Sequence, residues 1–274
     1  MTGSRSRARR AAGSGTPLVV VPPAVLGVLF LALPTFALVV RVPWSDLGPI
    51  YRDRQIWTAL RLSVESSLQA TAIALVLGVP LAWMLARFRV PGMALVRAVV
   101  TIPLVLPPVI GGVALFGAYG REGLLGDGID TVLGHDLPFT YPAIVVAQVF
   151  VAMPFLVVTV EGAFRIADRG VEEAAATLGA SRGRIFARVT IPLVVPAIVA
   201  GAVLCWARAL GEFGATLLFG GNTVGVTQTL PTAVLTVFSE NPAEAPALSL
   251  PLIAAALIVL GALRDRWLRP VAAA

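Results

Sequence analysis

Charge-free apolar runs, each about as long as a bilayer is thick, recur along the chain, and short segments rich in arginine separate them. A spanning helix needs about 20 predominantly apolar residues. The first run is Leu18–Val40, which has no charged residue and contains Pro22, Pro23 and Pro34, prolines that bend or delay a helix. Further runs are Ser66–Ala86, Ala98–Phe116, Tyr141–Val160, Val194–Glu212 and Ala245–Leu263. The third carries Pro103, Pro107 and Pro108, so a regular helix is not expected in its first half. A proline frees a backbone carbonyl, and in lipid that carbonyl must find a partner in protein or in a water-lined path. One further stretch, Phe213–Ser239, is also free of charge. Its middle reads FGGNTVGVTQT, too rich in Gly, Thr, Asn and Gln to face lipid, and predicts an external or re-entrant segment with a short helix after Pro231. The pattern predicts an all-α polytopic membrane protein with six transmembrane helices.

Composition supports this pattern. Of 274 residues, 57% are hydrophobic and 13% charged, about half the roughly 25% charged share of soluble domains. The net charge of +6 comes from arginine alone, since the chain has no lysine. With the N-terminus inside, six spans leave four cytoplasmic regions. These hold Arg5, Arg7, Arg9 and Arg10, then Arg87, Arg89 and Arg97, then Arg165, Arg169, Arg182, Arg184 and Arg188, then Arg264, Arg266 and Arg269. Only Arg41, Arg52, Arg54, Arg61 and Arg121 fall outside, and Arg208 lies within a span. This positive-inside bias argues for six spans, because a seventh would export the last cluster. It places the chain in the plasma membrane with both termini cytoplasmic. The basic balance therefore reports membrane topology and not nucleic-acid binding.

The same pattern divides the chain into a basic cytoplasmic tail (1–17), a first helix (18–40), a core from 58 to 263, and a short cytoplasmic tail (264–274) with no regulatory domain. The basic start could suggest a signal peptide, but the apolar run exceeds the roughly 7–15 residues of such a core. A lone Cys205 permits no intrachain disulfide and no cysteine metal cluster. His135, the only histidine, lies in a segment with Asp127, Asp130 and Asp136 and is read as part of a solvated loop.

The fourth-to-fifth connection, EEAAATLGASRGRIFARVTIPLVVPAIVAG from Glu172 to Gly201, is the most informative segment. Glu at the start of an Ala-rich stretch favours a short helix. Gly179 can end it in the left-handed conformation. Ser181 can cap a second helix with Phe186 and Val189 on one face, and Pro192 marks entry to the next span. Here the sequence resembles the ABC importer permeases, whose cytoplasmic EAA loop reads Glu-Ala-Ala, three residues, Gly, nine residues, then apolar-x-apolar-Pro. Glu173, Ala174, Ala175 and Gly179 match, and Val189, Ile191 and Pro192 close the pattern across loop 172–192, with Val189 where Ile is commoner. Thr58–Arg87 resembles the opening of the family core at Ser63, Gly78, Pro80, Ala82 and Arg87.

The resemblance implies the type I ABC importer permease fold. It further implies that the loop couples to an ATPase through Glu173, Ala174, Ala175 and Gly179, flanked by Glu172 and Arg182. The chain has no Gly-rich phosphate loop ending in Lys-Ser/Thr. It should therefore hold no cofactor and catalyse nothing itself, with ATP and Mg2+ bound by the partner. Implied partners are a second copy of the chain (a homodimer), two ABC ATPase subunits, an extracytoplasmic binding protein and membrane lipid.

Ala207–Pro231, ARALGEFGATLLFGGNTVGVTQTLP, resembles the oxyanion branch of this family. Gly211-Glu212-Phe213-Gly214 is the shared core, and Gly221, Asn222 and Thr227-Gln228-Thr229-Leu230-Pro231 look most like molybdate permeases. Tungstate, which matches molybdate in size and charge, and sulfate or thiosulfate are the alternatives. Arg208 and Glu212 share a helix face at i, i+4. They are either pathway groups that attract a dianion or a packed pair that neutralises itself, and we favour the second. Passage could instead use Thr216, Asn222, Thr227 and Gln228. An ion-coupled secondary transporter would need more intramembrane ionisable groups than these two and would leave the coupling loop unexplained. A membrane enzyme lacks any evident nucleophile–base pair.

Overall fold

The computed structural model describes residues 18–88 and 90–267. The tail 1–17, Arg89 and the end of the C-terminal tail lie outside the described residues. Among the described residues the chain is helical, without strands. A turn of 3-10 helix, Leu18–Val20, leads into α1, Val21–Val40, and Pro22 and Pro23 sit in its first turn, where no intrahelical donor is lost. The short α2, Leu47–Ile50, precedes α3, Arg54–Arg87. Next come α4, Met93–Val105, α5, Pro108–Tyr119, and α6, Gly126–Leu133. Beyond them lie α7, Tyr141–Ile166, α8, Arg169–Thr177, α9, Arg182–Ile185, and α10, Ile191–Leu210. The chain closes with α11, Leu230–Glu240, and α12, Ala245–Trp267.

Among the described residues, four helices are long and apolar enough to cross a membrane alone: α1, α3, α7 and the continuous stretch Arg182–Leu210. The shorter apolar α4 and α5 together occupy the third expected span, and α12 occupies the sixth. The third span is two helices because Leu106 and Pro107 take extended backbone angles between them. The residue before a proline avoids helical angles, and Pro107–Pro108 imposes this twice.

Two helices outrun their apolar patterns. α3 starts at Arg54, twelve residues before the expected Ser66, because Asp53 caps it by accepting from Gln55 N at 2.8 Å. At 1.5 Å per residue its 34 residues reach about 51 Å, well beyond a hydrocarbon core of about 30 Å. α7 continues past Val160 to Ile166 because Glu161 is paired with arginines. The segment 120–138 is not the plain loop expected from sequence. It contains α6, which stops at the left-handed Gly134, and beyond it His135 Nδ1 contacts the Asp136 carbonyl at 2.9 Å. The charge-free Phe213–Ser239 is no span. It forms a π-turn, Thr216–Gly220, then a loop and α11, which begins at Leu230 with Pro231 in its first turn, one residue before the proline after which a helix is expected.

The core is α3 packed on α7, with α10 against both. α3 presents Ala59, Ser63, Ser67, Ala70, Ala74, Gly78 and Ala82, all buried, in a stripe of small residues. Small side chains let helix backbones approach closely, which replaces the hydrophobic drive that lipid removes. At the end of the bundle remote from α8, Val42, Ile50, Ile56, Ala247 and Leu248 form a separate cluster. There the Tyr51 hydroxyl donates to the Ala247 carbonyl at 2.7 Å. Burial pushes the Tyr51 phenol above its ordinary 10.0, so it remains a donor at neutral pH.

Candidate functional site: the α8 hairpin and the Arg208–Thr229 segment

α8 begins at Asp168, whose carboxylate accepts from Gly170 N at 2.8 Å, and carries Glu172 in its first turn. It ends in a Schellman motif. Gly179 N donates to Ala176 O at 3.0 Å and Ala180 N to Ala175 O at 3.1 Å, with Gly179 at φ +83°. That geometry satisfies the last carbonyls and reverses the chain. Glu173, Ala174, Gly179 and Arg182 are exposed and Ala175 is half-buried, so the expected coupling residues sit together on an outward hairpin. Leu178, which sequence reasoning passed over, stands at its tip 89% exposed. Its signal was an apolar residue directly before the turn glycine.

The second half of the hairpin differs from expectation. Ser181 occupies the N-cap position of α9, but its side chain makes no capping bond. α9 does not close a separate helix. It runs through a π-turn, Phe186–Thr190, directly into α10. Pro192 has no N–H to give to the preceding turn, and the wider π spacing accommodates that loss without ending the helix. Phe186 and Val189 are both half-buried, as their spacing predicts, and Phe186 meets Trp83 edge to face at 5.3 Å.

Two carboxylates tie this end of the bundle together. Glu172 Oε1 accepts from Arg87 Nη2 at 2.7 Å and from Thr190 Oγ1 at 3.1 Å, so it turns inward while Glu173 faces out. Glu161 Oε1 accepts from Nη2 of both Arg97 and Arg165 at 2.7 Å, and Arg97 also donates to the Leu85 carbonyl at 3.1 Å. Beside the first pair lies a cleft of about 760 Å³ lined by Pro80, Trp83, Arg169, Glu173 and Phe186.

The other candidate residues lie in the remote half of the chain's core. Glu212 is buried, 1% exposed, and its Oε1 accepts from Ala215 N at 2.9 Å, capping the turn that follows. Its other oxygen pairs with Arg208, 26% exposed. This is the geometry of a self-neutralising packed pair. Thr216 and Thr227 are buried. Thr227 Oγ1 accepts from Thr223 N at 3.0 Å, and Asn222 Nδ2 donates to Thr236 Oγ1 at 3.0 Å, so these side chains fasten the loop 221–229 to itself and to α11. Gln228 lines a cavity of about 470 Å³ with Asp53, Gln55, Thr236, Glu240 and Glu244. Ser63 Oγ accepts from Leu230 N at 2.7 Å, anchoring the start of α11 on α3. Among the described residues no cluster of His, Cys, Asp and Glu could hold a metal ion.

Residues 74–271 match the model of the family described as binding-protein-dependent transport system inner membrane component. The molybdenum transport system permease protein ModB of Mycobacterium tuberculosis (strain H37Rv) is 45% identical over 246 residues, covering 89% of this chain and 93% of the relative. The protein of the same name from Escherichia coli K12 is 39% identical over 212 residues, 77% and 93% of the two chains. Among solved structures, a chain of a bacterial ABC transporter involved in import of the acidic polysaccharide alginate superposes with a TM-score of 0.69 at 17% identity, covering 92% of this chain and 95% of that one. The last likeness speaks to fold, and the first three to descent: this chain belongs to the binding-protein-dependent transport system inner membrane components, the permeases of ABC importers.

Proposed function

We propose that the chain is the pathway subunit of an ATP-driven importer that carries molybdate across the bacterial plasma membrane by alternating access. The observation that carries the coupling half of this reading is the outward hairpin, with Glu173, Ala174, Leu178 and Gly179 exposed on a helix that buries no residue of its own. A helix that buries none of its residues leaves an outer face for a partner, and its small residues permit close approach. The molybdate half rests on the extent of likeness to permeases named for molybdenum transport.

In this reading two copies enclose the pathway, and two ABC ATPase subunits, holding ATP and Mg2+, receive the hairpins at the cytoplasmic side. A binding protein delivers the ion from outside and does most of the selecting. ATP binding closes the ATPases, the hairpins move, and the pathway opens outward; hydrolysis resets it. Both termini lie on the cytoplasmic side with α8.

The test is uptake of labelled molybdate and labelled sulfate at sub-micromolar concentration, in cells lacking the chain and in complemented cells. Loss of molybdate uptake alone, restored by the normal chain but not by Gly179→Val, is the expected result. Loss of sulfate uptake with molybdate intact would keep the permease and change the ion. If tungstate competes at equal concentration, the importer as a whole does not separate the two ions.

A further inference from the structure

We propose that Glu172 is a positioning residue of the coupling step: its carboxylate, shared by Arg87 and Thr190, carries displacement of α8 into α3 and α10. This rests on the reading of α8 as the ATPase-docking helix. Glu172 and Glu173 are neighbours in one acidic pair, and the sequence gives no means of dividing their roles. The fold divides them. Successive residues on a helix point about 100° apart, so Glu173 faces outward with Leu178 and Gly179 while Glu172 faces the bundle.

What Glu172 meets there is specific. Arg87 is the last residue of α3, its side chain only 9% exposed, and donates at 2.7 Å. Thr190, buried, is the last residue of the π-turn at the foot of α10 and donates at 3.1 Å. One oxygen therefore joins α8 to the ends of two core helices. α8 has no fully buried residue, and only Glu172 and Ala175 are even half-buried, so its apolar packing on the core is slight. A charge-assisted bond shielded from water is short, directional and stiff. The neighbouring Glu161 cluster is built alike, yet it joins α7 to α4 and α3 and touches no part of the hairpin. It clamps the bundle and cannot serve as the link.

The experiment uses the whole complex, with its ATPase and binding protein, in proteoliposomes. Three forms of this chain are compared with wild type: Glu172→Ala, Arg87→Gln, and the exchanged pair Arg87→Glu with Glu172→Arg. ATPase subunits should co-purify at the wild-type ratio in all. Molybdate taken up per ATP hydrolysed should fall fivefold or more in each single variant and recover to at least half in the exchanged pair, which restores the bond with its polarity reversed. A residue that only stabilises the fold would lower yield and leave this ratio alone.

A wild-type ratio in Glu172→Ala overturns the proposal. So does loss of ATPase subunits in that variant, which would make Glu172 a docking residue. An exchanged pair no better than the single variants overturns it too. If the wild-type complex itself takes up no molybdate with ATP, the functional reading fails and this inference falls with it.

Discussion

At Gly179 an added Cβ would meet nothing within 4 Å, so its value is conformational: φ is +83°. Asn tolerates this left-handed region far better than a β-branched residue does. Gly179→Asn should retain most uptake and Gly179→Val little, with both chains present in the membrane at wild-type amounts; equal uptake by the two would refute the conformational account. Deeper in the bundle, Glu212→Ala strips Arg208 of its partner and Ala215 N–H of its acceptor. Breaking a buried pair typically costs about 3–5 kcal/mol, whereas replacing both members with apolar residues costs less. Glu212→Ala should therefore lower the melting temperature in detergent more than Arg208→Met combined with Glu212→Met. If the double variant keeps its fold yet loses all uptake, the pair belongs to the pathway after all.

The joint between α5 and the π-turn Thr216–Gly220 depends on closeness at one face. A Cβ on Gly112 would come within 2.8 Å of Leu218 Cβ and 3.3 Å of Ala215 Cα. Overpacking of this kind costs about 1–3 kcal/mol. On the same helix Gly117 has nothing within 4 Å, so alanine there should be neutral or slightly stabilising, by up to about 1 kcal/mol. The two alanine variants, melted side by side, test the packing directly: equal melting temperatures would mean that α5 does not sit against the turn.

Over the whole molecule, helix direction fixes which loops share a side. Arg87 at the end of α3 meets α8, while Tyr51, just before α3, meets the start of α12. Starting from a Cys205→Ser chain produced without its ATPase partner, Leu178→Cys should react with a membrane-impermeant thiol reagent only in inside-out vesicles. Val132→Cys, 81% exposed on α6 at the opposite end, should react in intact cells. The reverse result would invert the topology.

The sequence by itself determined the helical class, the order of the spans and the hairpin. Each of these is a local quantity: the length of an apolar run, a turn glycine six residues after the Glu of an Ala-rich stretch, a proline at a helix start. It also warned of the irregular third span, because proline's effect on its neighbour is local too. It could not set the true ends of α3 and α7, since a polar or charged turn stays helical when a distant partner pays its desolvation, as Arg97 does for Glu161. Nor could it say that α9 flows into α10, which depends on a π-turn absorbing the lost donor of Pro192. Only tertiary structure decided which of two adjacent glutamates faces out and which is bonded to Arg87, 85 positions away in sequence. It likewise decided that Thr227 and Asn222 fasten their own loop. A side chain's partner across the bundle is set by how helices pack, and no local pattern along the chain encodes it.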